Sequence, residues 1–231
     1  MIGKKTANIV EKTLPKNSFL VNNQTQFAAS EAFKSVRTNL LSLLAKYEDK
    51  PKQLCFTSPQ AGDGKTLNCA NVAASFAEMS AKVLIIDADM RNPKLHNYFN
   101  IPVSPGLSDC LNGSSDFTSA IVAYPNIPGL FILTSGKIPT NPTELILSNQ
   151  FTDLLKALEQ DFQYVFIDAP PACVVTDATI ISQKTLGAIL VCKSGKTKID
   201  LAKKAKQEIE QGGGIILGSI LNSVSTKKES F

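Results

Sequence analysis

The sequence predicts an α/β protein built around a doubly wound, mostly parallel β-sheet. Short apolar runs alternate along the chain with longer segments in which apolar residues recur at helical spacing. Several of the short runs contain almost no polar residue, which is typical of strands covered by helices on both faces. This alternation favours a parallel sheet, because parallel neighbours need a crossover connection that is usually a helix.

The boundaries of the elements follow from the same patterns. An amphipathic helix is predicted over residues 28–44, and the polar stretch 48–52 closes it. The predicted strands are residues 53–58, 82–87, 130–134, 164–168, 188–192 and 215–221. The clearest later helices are residues 149–160 and 199–211, and the three glycines at 212–214 indicate the stop of the second one.

Length and composition predict one globular domain in a reducing compartment. The 231 residues suffice for a single domain at residues 27–231, preceded by a flexible polar arm at residues 1–26. The net charge of +4 is mild and only two basic residues are arginines, so nucleic acid is not an expected partner. The five scattered cysteines form no CxxC pair. The sequence shows no signal peptide and no long apolar run, so a cytoplasmic location is expected, with membrane attachment only through a partner.

The strongest motif is a glycine-rich loop at residues 58–66, which reads SPQAGDGKT and lies between a predicted strand and a helix. Glycines let the backbone N–H groups turn around phosphate oxygens, and the helix N-terminus adds a favourable dipole. Lys65 can reach the β- and γ-phosphates and the Thr66 hydroxyl can bind Mg²⁺, although Pro59 replaces the first glycine of the usual pattern. A glycine turn that binds nothing is the alternative. The Gly-Lys-Thr ending favours a P-loop that binds ATP and Mg²⁺.

Two further predicted strands end in carboxylates at the edge where open α/β sheets bind ligands. One strand runs into Asp87 and Asp89, a pair that can hold a metal ion and accept a proton from an attacking hydroxyl. The alternative is an aspartate that only caps the following turn. The other strand closes on Asp168, which has the form of a Walker B carboxylate that holds Mg²⁺ directly or through water.

These motifs resemble those of the bacterial tyrosine kinases, which are related to the cell-division and partition ATPases with a deviant Walker A motif. The family combines a modified Walker A motif, an A′ motif hhhDxDxR and a Walker B motif ending in D-x-P-P, here SPQAGDGKT, IIDADMR and FIDAPP. Residues 133–146, LTSGKIPTNPTELI, resemble a further family segment that the partition ATPases lack. The resemblance covers residues 30–222. It implies a P-loop NTPase fold and a tyrosine kinase subunit of the Gram-positive type, which regulates capsular or extracellular polysaccharide biosynthesis.

The resemblance also implies roles for matching residues. The phosphate-binding loop would consist of Ala61, Gly62, Asp63, Gly64, Lys65 and Thr66. The catalytic set would be Lys65, Asp87, Asp89 and Arg91, with Asp87 as the base that takes the tyrosine proton. The metal would be held by Thr66, Asp87 and Asp168. Asn222 would contact adenine, or alternatively be a turn residue at the end of a strand.

A motif near the N-terminus implies a homo-oligomer. Residues 31–37, EAFKSVR, resemble the family's E-x-x-R-x-x-R subunit-contact motif and place Glu31, Lys34 and Arg37 at its three key positions. Lys34 replaces the middle arginine, which weakens a bidentate contact. The alternative is an exposed helix face that carries an ion pair between residues three apart.

The tyrosines depart from the family pattern. Family members normally end in a tyrosine cluster that neighbouring subunits phosphorylate, whereas no tyrosine follows Tyr164 in this sequence. Little tyrosine autophosphorylation is therefore expected. The resemblance implies that the partners are other protein substrates and a membrane protein whose cytoplasmic segment activates the kinase.

Two other functions compete with the preferred tyrosine kinase. One is a nucleotide-binding regulatory scaffold of the polysaccharide machinery, which the absent tyrosine cluster favours and the intact acidic motifs oppose. The other is a partition-type ATPase acting on DNA or membrane. Against it, Gln60 stands where that branch has its intersubunit lysine, and the tail TKKESF is no amphipathic membrane helix.

Overall fold

The computed structural model describes Leu20 and residues 27–224. Within them the strands are β1 Gln53–Thr57, β2 Val83–Asp87, β3 Val122–Ala123, β4 Leu130–Leu133, β5 Tyr164–Asp168, β6 Gly187–Lys193 and β7 Ile216–Asn222. The helices are α1 Phe27–Leu44, α2 Lys65–Ala77, α3 Leu95–Phe99, α4 Leu107–Leu111, α5 Phe117–Ala120, α6 Pro142–Leu147, α7 Asn149–Asp161, α8 Asp177–Lys184 and α9 Ile199–Gln211. A short 3-10 turn, Ala45–Tyr47, follows α1.

The described strands form one sheet in the order β3-β4-β2-β5-β1-β6-β7. Every neighbouring pair is parallel except β3 with β4. The carboxyl ends of β1, β2 and β5 therefore meet at one edge, and the register sets Asp87 directly opposite Asp168. Open α/β sheets bind ligands outside the carboxyl ends of their parallel strands. The ends of β2, β5 and β1, which are neighbours in the sheet, form such a position.

The sheet is covered on both faces, as the apolar strands predict. On one face α2 packs with rings from the strands, and the ring centroids of Phe76 and Phe166 lie 5.2 Å apart. A separate apolar cluster on the other face joins Ile86 and Ile167 to Leu155 of α7 and Ile181 of α8. Strands β1 and β2 are buried at every position, so their ends are held rigidly by packing on both sides.

The structure confirms the predicted fold class. The six predicted strands agree with the observed ones to within one residue at each end, and residues 199–211 form α9 as expected. Sequence patterns missed the edge strand β3 and the short helices α3 to α6, as well as α8. The predicted arm at residues 1–26 lies outside the described residues except for Leu20, which is buried. In the described part of the chain, no helix combines the length and apolar character needed to cross a membrane.

Candidate functional site

The loop between β1 and α2 has the conformation of a phosphate cradle. Gly62 and Gly64 adopt φ angles of 83° and 93°, a left-handed region that glycine enters without steric cost. Helix α2 begins immediately afterwards at Lys65, so its unpaired N–H groups and positive dipole end face the loop. Ala61 and Gly62 are exposed, whereas Lys65 and Thr66 are buried. The predicted loop residues therefore lie together at the carboxyl end of β1, next to the ends of β2 and β5.

The Lys65 ammonium lies between two carboxylates. Its Nζ is 2.8 Å from Asp89 Oδ2 and 3.2 Å from Asp168 Oδ1. Burial alone lowers the pKa of Lys65, but the charges of Asp168 and Asp89 outweigh this effect and raise the pKa above its usual value. The lysine therefore stays charged, at the end of the loop that faces β2 and β5.

Thr66 and Asp168 form a second close contact beside this lysine. The Thr66 hydroxyl donates a hydrogen bond of 2.6 Å to Asp168 Oδ2. Burial raises the pKa of Asp168, while Lys65 and the Thr66 hydroxyl act in the opposite direction. A hydroxyl and a carboxylate oxygen at this spacing are hard donors of the type that Mg²⁺ selects.

Asp87 is fully buried and organises the chain that follows β2. Its Oδ2 accepts hydrogen bonds of 3.0 Å from the backbone N–H groups of Lys94 and Leu95, and its Oδ1 accepts one from the N–H of Asp89. Burial and the facing Asp168 carboxylate raise the pKa of Asp87 to about 7, although these hydrogen bonds oppose the shift. The carboxyl group can thus change protonation near neutral pH.

Asn222 lies against the phosphate loop from the end of β7. Its side-chain amide donates a hydrogen bond of 2.9 Å to the backbone oxygen of Asp63. A Cβ on Gly64 would stand 2.1 Å from the Asn222 Nδ2 atom, so glycine is required there for close approach as well as for its φ angle. The adenine contact expected of Asn222 stays a prediction, and the structure adds that this strand-end residue holds the phosphate loop through Asp63.

Comparisons with known proteins agree with this geometry. The family described as an AAA domain matches residues 52–192. The tyrosine-protein kinase CpsD of Streptococcus agalactiae serotype Ia is 38% identical over 87% of this chain and 85% of its own length. The tyrosine-protein kinase ptk of Acinetobacter johnsonii is 34% identical over 97% of this chain, which spans 30% of the length of that relative.

Solved structures extend the similarity to three dimensions. The kinase domain of the Escherichia coli tyrosine kinase ETK is 30% identical with a TM-score of 0.86, covering 97% of this chain and 86% of that one. The chimerical protein CapA2B2 is 36% identical with a TM-score of 0.83, covering 91% and 92%. The chain belongs to the bacterial tyrosine kinase family. MinD from Pyrococcus horikoshii, 24% identical with a TM-score of 0.64, shares the fold alone.

Membership of the bacterial tyrosine kinases confirms several sequence-based predictions. The chain is an α/β P-loop protein of an ATP-binding kinase class that is linked to capsule or polysaccharide biosynthesis. This agrees with the preferred interpretation over a partition-type ATPase. The MinD structure that shares this fold is described as a complex with Mg-ADP.

Arg91 of this kinase points away from the carboxylates around Lys65. Its Nε lies 3.2 Å from Asp177 Oδ2, and its Nη2 donates a hydrogen bond of 2.8 Å to Thr143. Thr143 in turn donates to Asp177 Oδ1 at 2.6 Å. The arginine therefore joins the segment after β2 to the first turns of α6 and α8. Sequence reasoning missed Thr143 and Asp177 as its partners, although Thr143 lies in the family-like segment 133–146.

The subunit-contact motif lies on α1, and its residues make contacts within the kinase itself. Lys34 and Glu31 form an ion pair of 2.7 Å, as the alternative interpretation predicts. Arg37 Nη1 donates a hydrogen bond of 2.5 Å to the backbone oxygen of Ser75 near the C-terminal end of α2. Arg37 is therefore already engaged in joining α1 to α2, whereas Glu31 and Lys34 face outward.

Proposed function

We propose that the chain transfers the γ-phosphoryl group of Mg-ATP to tyrosine hydroxyls of other proteins and thereby regulates polysaccharide biosynthesis. The observation that carries this proposal is the cluster at the end of the phosphate loop. There the Lys65 ammonium contacts the carboxylates of Asp89 and Asp168, and the Thr66 hydroxyl donates a hydrogen bond to Asp168. These are the groups that phosphoryl transfer requires for positioning and charge stabilisation.

The residues at this end of the loop fit a magnesium ion. Thr66 Oγ1 and Asp168 Oδ2 are adjacent oxygen donors, and Mg²⁺ in nucleotide sites takes few protein ligands besides phosphate oxygens and water. Asp87 lies beside Asp168 on the neighbouring strand β2 and would support the ion from that strand. The bound ion would supply neutralisation of the negative charge that builds up on the phosphate oxygens.

Lys65 would bind phosphate from a position between two carboxylates. Asp89 and Asp168 hold its ammonium group, which keeps a positive charge beside the loop. Phosphate oxygens would replace one of these carboxylates, and the lysine would then stabilise the charge of the transferred group. Asp89 would remain beside the lysine and direct it, while Arg91 would hold the segment after β2 in position through Asp177.

Asp87 is the proposed general base. Its carboxylate would take the proton of the tyrosine hydroxyl, the phenolic oxygen would form a bond to the γ-phosphorus, and the bond from phosphorus to the leaving ADP oxygen would break. A carboxyl group acts as a base in its ionised form, and a magnesium ion beside Asp87 would favour that form. The burial of the strand end excludes water from competing for this proton.

Partners complete the proposal. A membrane protein with a cytoplasmic activating segment would bring the kinase to the cytoplasmic face of the membrane. Copies of the chain would associate through Glu31, Lys34 and Arg37 on α1. A regulatory scaffold with little kinase activity is the second candidate. It rests on the position of Tyr164, which begins β5 and so lies at the end of the strand opposite Asp168 and the phosphate loop.

The deciding experiment combines binding and transfer. Wild type, Lys65→Met and the exposed-site control Lys206→Met would be titrated with Mg-ATP by calorimetry. They would then be incubated with a Glu–Tyr copolymer, with and without an activator segment, and phosphotyrosine would be measured by mass spectrometry. We expect binding and transfer in wild type and control, and loss of both in Lys65→Met. Undiminished affinity in Lys65→Met would remove Lys65 from the site, and binding without transfer under every condition would favour the scaffold.

A further inference from the structure

A second lysine approaches the phosphate loop from outside the known motifs. Lys196 lies in the loop between β6 and α9, and its Nζ is 2.9 Å from the position that a Cβ on Gly62 would occupy. The ammonium group of this exposed lysine therefore lies directly beside the backbone of Gly62. Among the residues that the structure describes, no carboxylate forms an ion pair with Lys196. A cation without a counter-ion thus stands beside a loop shaped for an anion.

The order of the strands in the sheet sets the direction in which a bound nucleotide lies. Lys65 and its carboxylate partners stand at the ends of β2 and β5, so the γ-phosphate end of ATP belongs on that side of β1. Strands β6 and β7 follow on the opposite side of β1. The α-phosphate and the nucleoside must therefore extend over the ends of β6 and β7.

Lys196 and Asn222 occupy that opposite side. Asn222 ends β7 and contacts Asp63, and Lys196 follows β6 and contacts the Gly62 position. A side chain from the end of β7 and one from the loop after β6 thus meet neighbouring residues of the phosphate loop. Gly62 and Gly64 both leave the space into which these side chains reach.

We infer that Lys196 is a nucleotide-binding residue, which acts from the same chain on the α-phosphate and nucleoside end of the ligand. This inference rests on the proposed nucleotide site and adds a contact that the motifs do not contain. The ammonium group would bind an α-phosphate oxygen, and the alkyl stem would cover one face of the nucleoside. Because Lys196 lies away from the γ-phosphate end, it should contribute equally to ADP and to ATP. Lys65 should instead favour ATP.

Variants of the whole chain test this assignment. Lys196→Met keeps the stem and removes the charge, and Lys198→Met is the matched control, because Lys198 is an exposed lysine two residues along the same loop. Affinities for Mg-ADP and for a Mg-bound non-hydrolysable ATP analogue would be measured by calorimetry. We expect Lys196→Met to weaken both ligands by the same factor of about five to ten, with the control unchanged. Melting of the nucleotide-free variant should match wild type.

The outcomes separate this inference from the proposed function. Wild-type affinity in Lys196→Met would overturn the inference and leave the proposed function intact. Another outcome is that Lys196→Met weakens nucleotide binding and at the same time lowers the melting temperature of the nucleotide-free protein. That result would assign Lys196 to support of the loop and also overturn the inference. Failure of the wild-type chain to bind either nucleotide would overturn the proposed function itself, and the inference with it.

Discussion

Lys65→Met should destabilise the nucleotide-free protein in a pH-dependent way. The substitution keeps the length and apolar stem of the side chain but removes the only cation within ion-pair distance of Asp89 and Asp168 in the described structure. The lysine side chain is 10% exposed, and those of the two carboxylates are 6% and 1% exposed. Solvent therefore cannot replace the lost charge.

The size and sign of the effect follow from burial. Removing one partner of a buried ion pair costs about 3–5 kcal/mol, which for a chain of this length lowers the melting temperature by roughly 10 °C. The pKa values of Asp87 and Asp168 are already raised by burial and would rise further without Lys65. An acid with a raised pKa in the folded state stabilises the fold at low pH, and this contribution is lost as pH rises through the folded pKa. The deficit of Lys65→Met should therefore be largest at pH 8 and shrink towards pH 5.5.

Thermal and urea unfolding at pH 8 and pH 5.5 measure this directly. The control is Lys206→Met, because Lys206 is an exposed lysine of α9 whose ion pair with Glu210 spans 3.6 Å. It removes the same charge and should change stability by less than about 0.5 kcal/mol at either pH. A deficit for Lys65→Met that is equal at both pH values would show that the carboxylates are not held ionised by the lysine. Wild-type stability at pH 8 would refute the buried pair altogether.

Three further predictions concern catalysis, assembly and acceptor tyrosines. Asp87→Asn should lower phosphoryl transfer about a hundredfold or more, because the amide cannot accept the tyrosine proton. Full activity in the folded variant would exclude a general base at this position. Arg37→Glu should lower both the mass measured by light scattering and the melting temperature, because the Ser75 contact is lost as well, whereas Lys34→Glu should lower the mass alone. Unchanged mass in both variants would place any interface elsewhere. Incubation with Mg-ATP should leave little phosphotyrosine on this chain, and abundant modification that disappears in Lys65→Met would contradict that expectation. The tyrosines to be mapped are Tyr47, Tyr98, Tyr124 and Tyr164.

Local signals explain why the sequence predicted so much of the site. The buried strands β1, β2 and β5 are short apolar runs that end in a glycine loop or in a carboxylate, and both features are visible in a few consecutive residues. Their parallel arrangement then brings Asp87 opposite Asp168, although the two lie far apart in the sequence. The family resemblance added the association of these motifs with one site.

Contacts that depend on three-dimensional packing were not predictable. The partners of Arg91 come from two helices whose positions only the folded chain defines. Helices α3 to α6 are too short for a helical period to stand out from the surrounding loops. Lys196 is one lysine among many, and nothing in its sequence neighbourhood distinguishes it from a solvated surface residue.

Helix α2 connects the phosphate site to the helix α1 that carries the subunit-contact motif. It begins at Lys65 inside the phosphate site and runs 13 residues, about 20 Å, to the turn where Ser75 accepts the hydrogen bond from Arg37. All but one of its residues are buried, so packing on every side holds the helix as one rigid element. A copy of the chain that binds to α1 would contact the helix that packs on the C-terminal end of α2, and α2 carries the phosphate-binding Lys65 at its other end. Assembly and nucleotide occupancy would then be thermodynamically linked, and each would change the affinity of the other by the same factor.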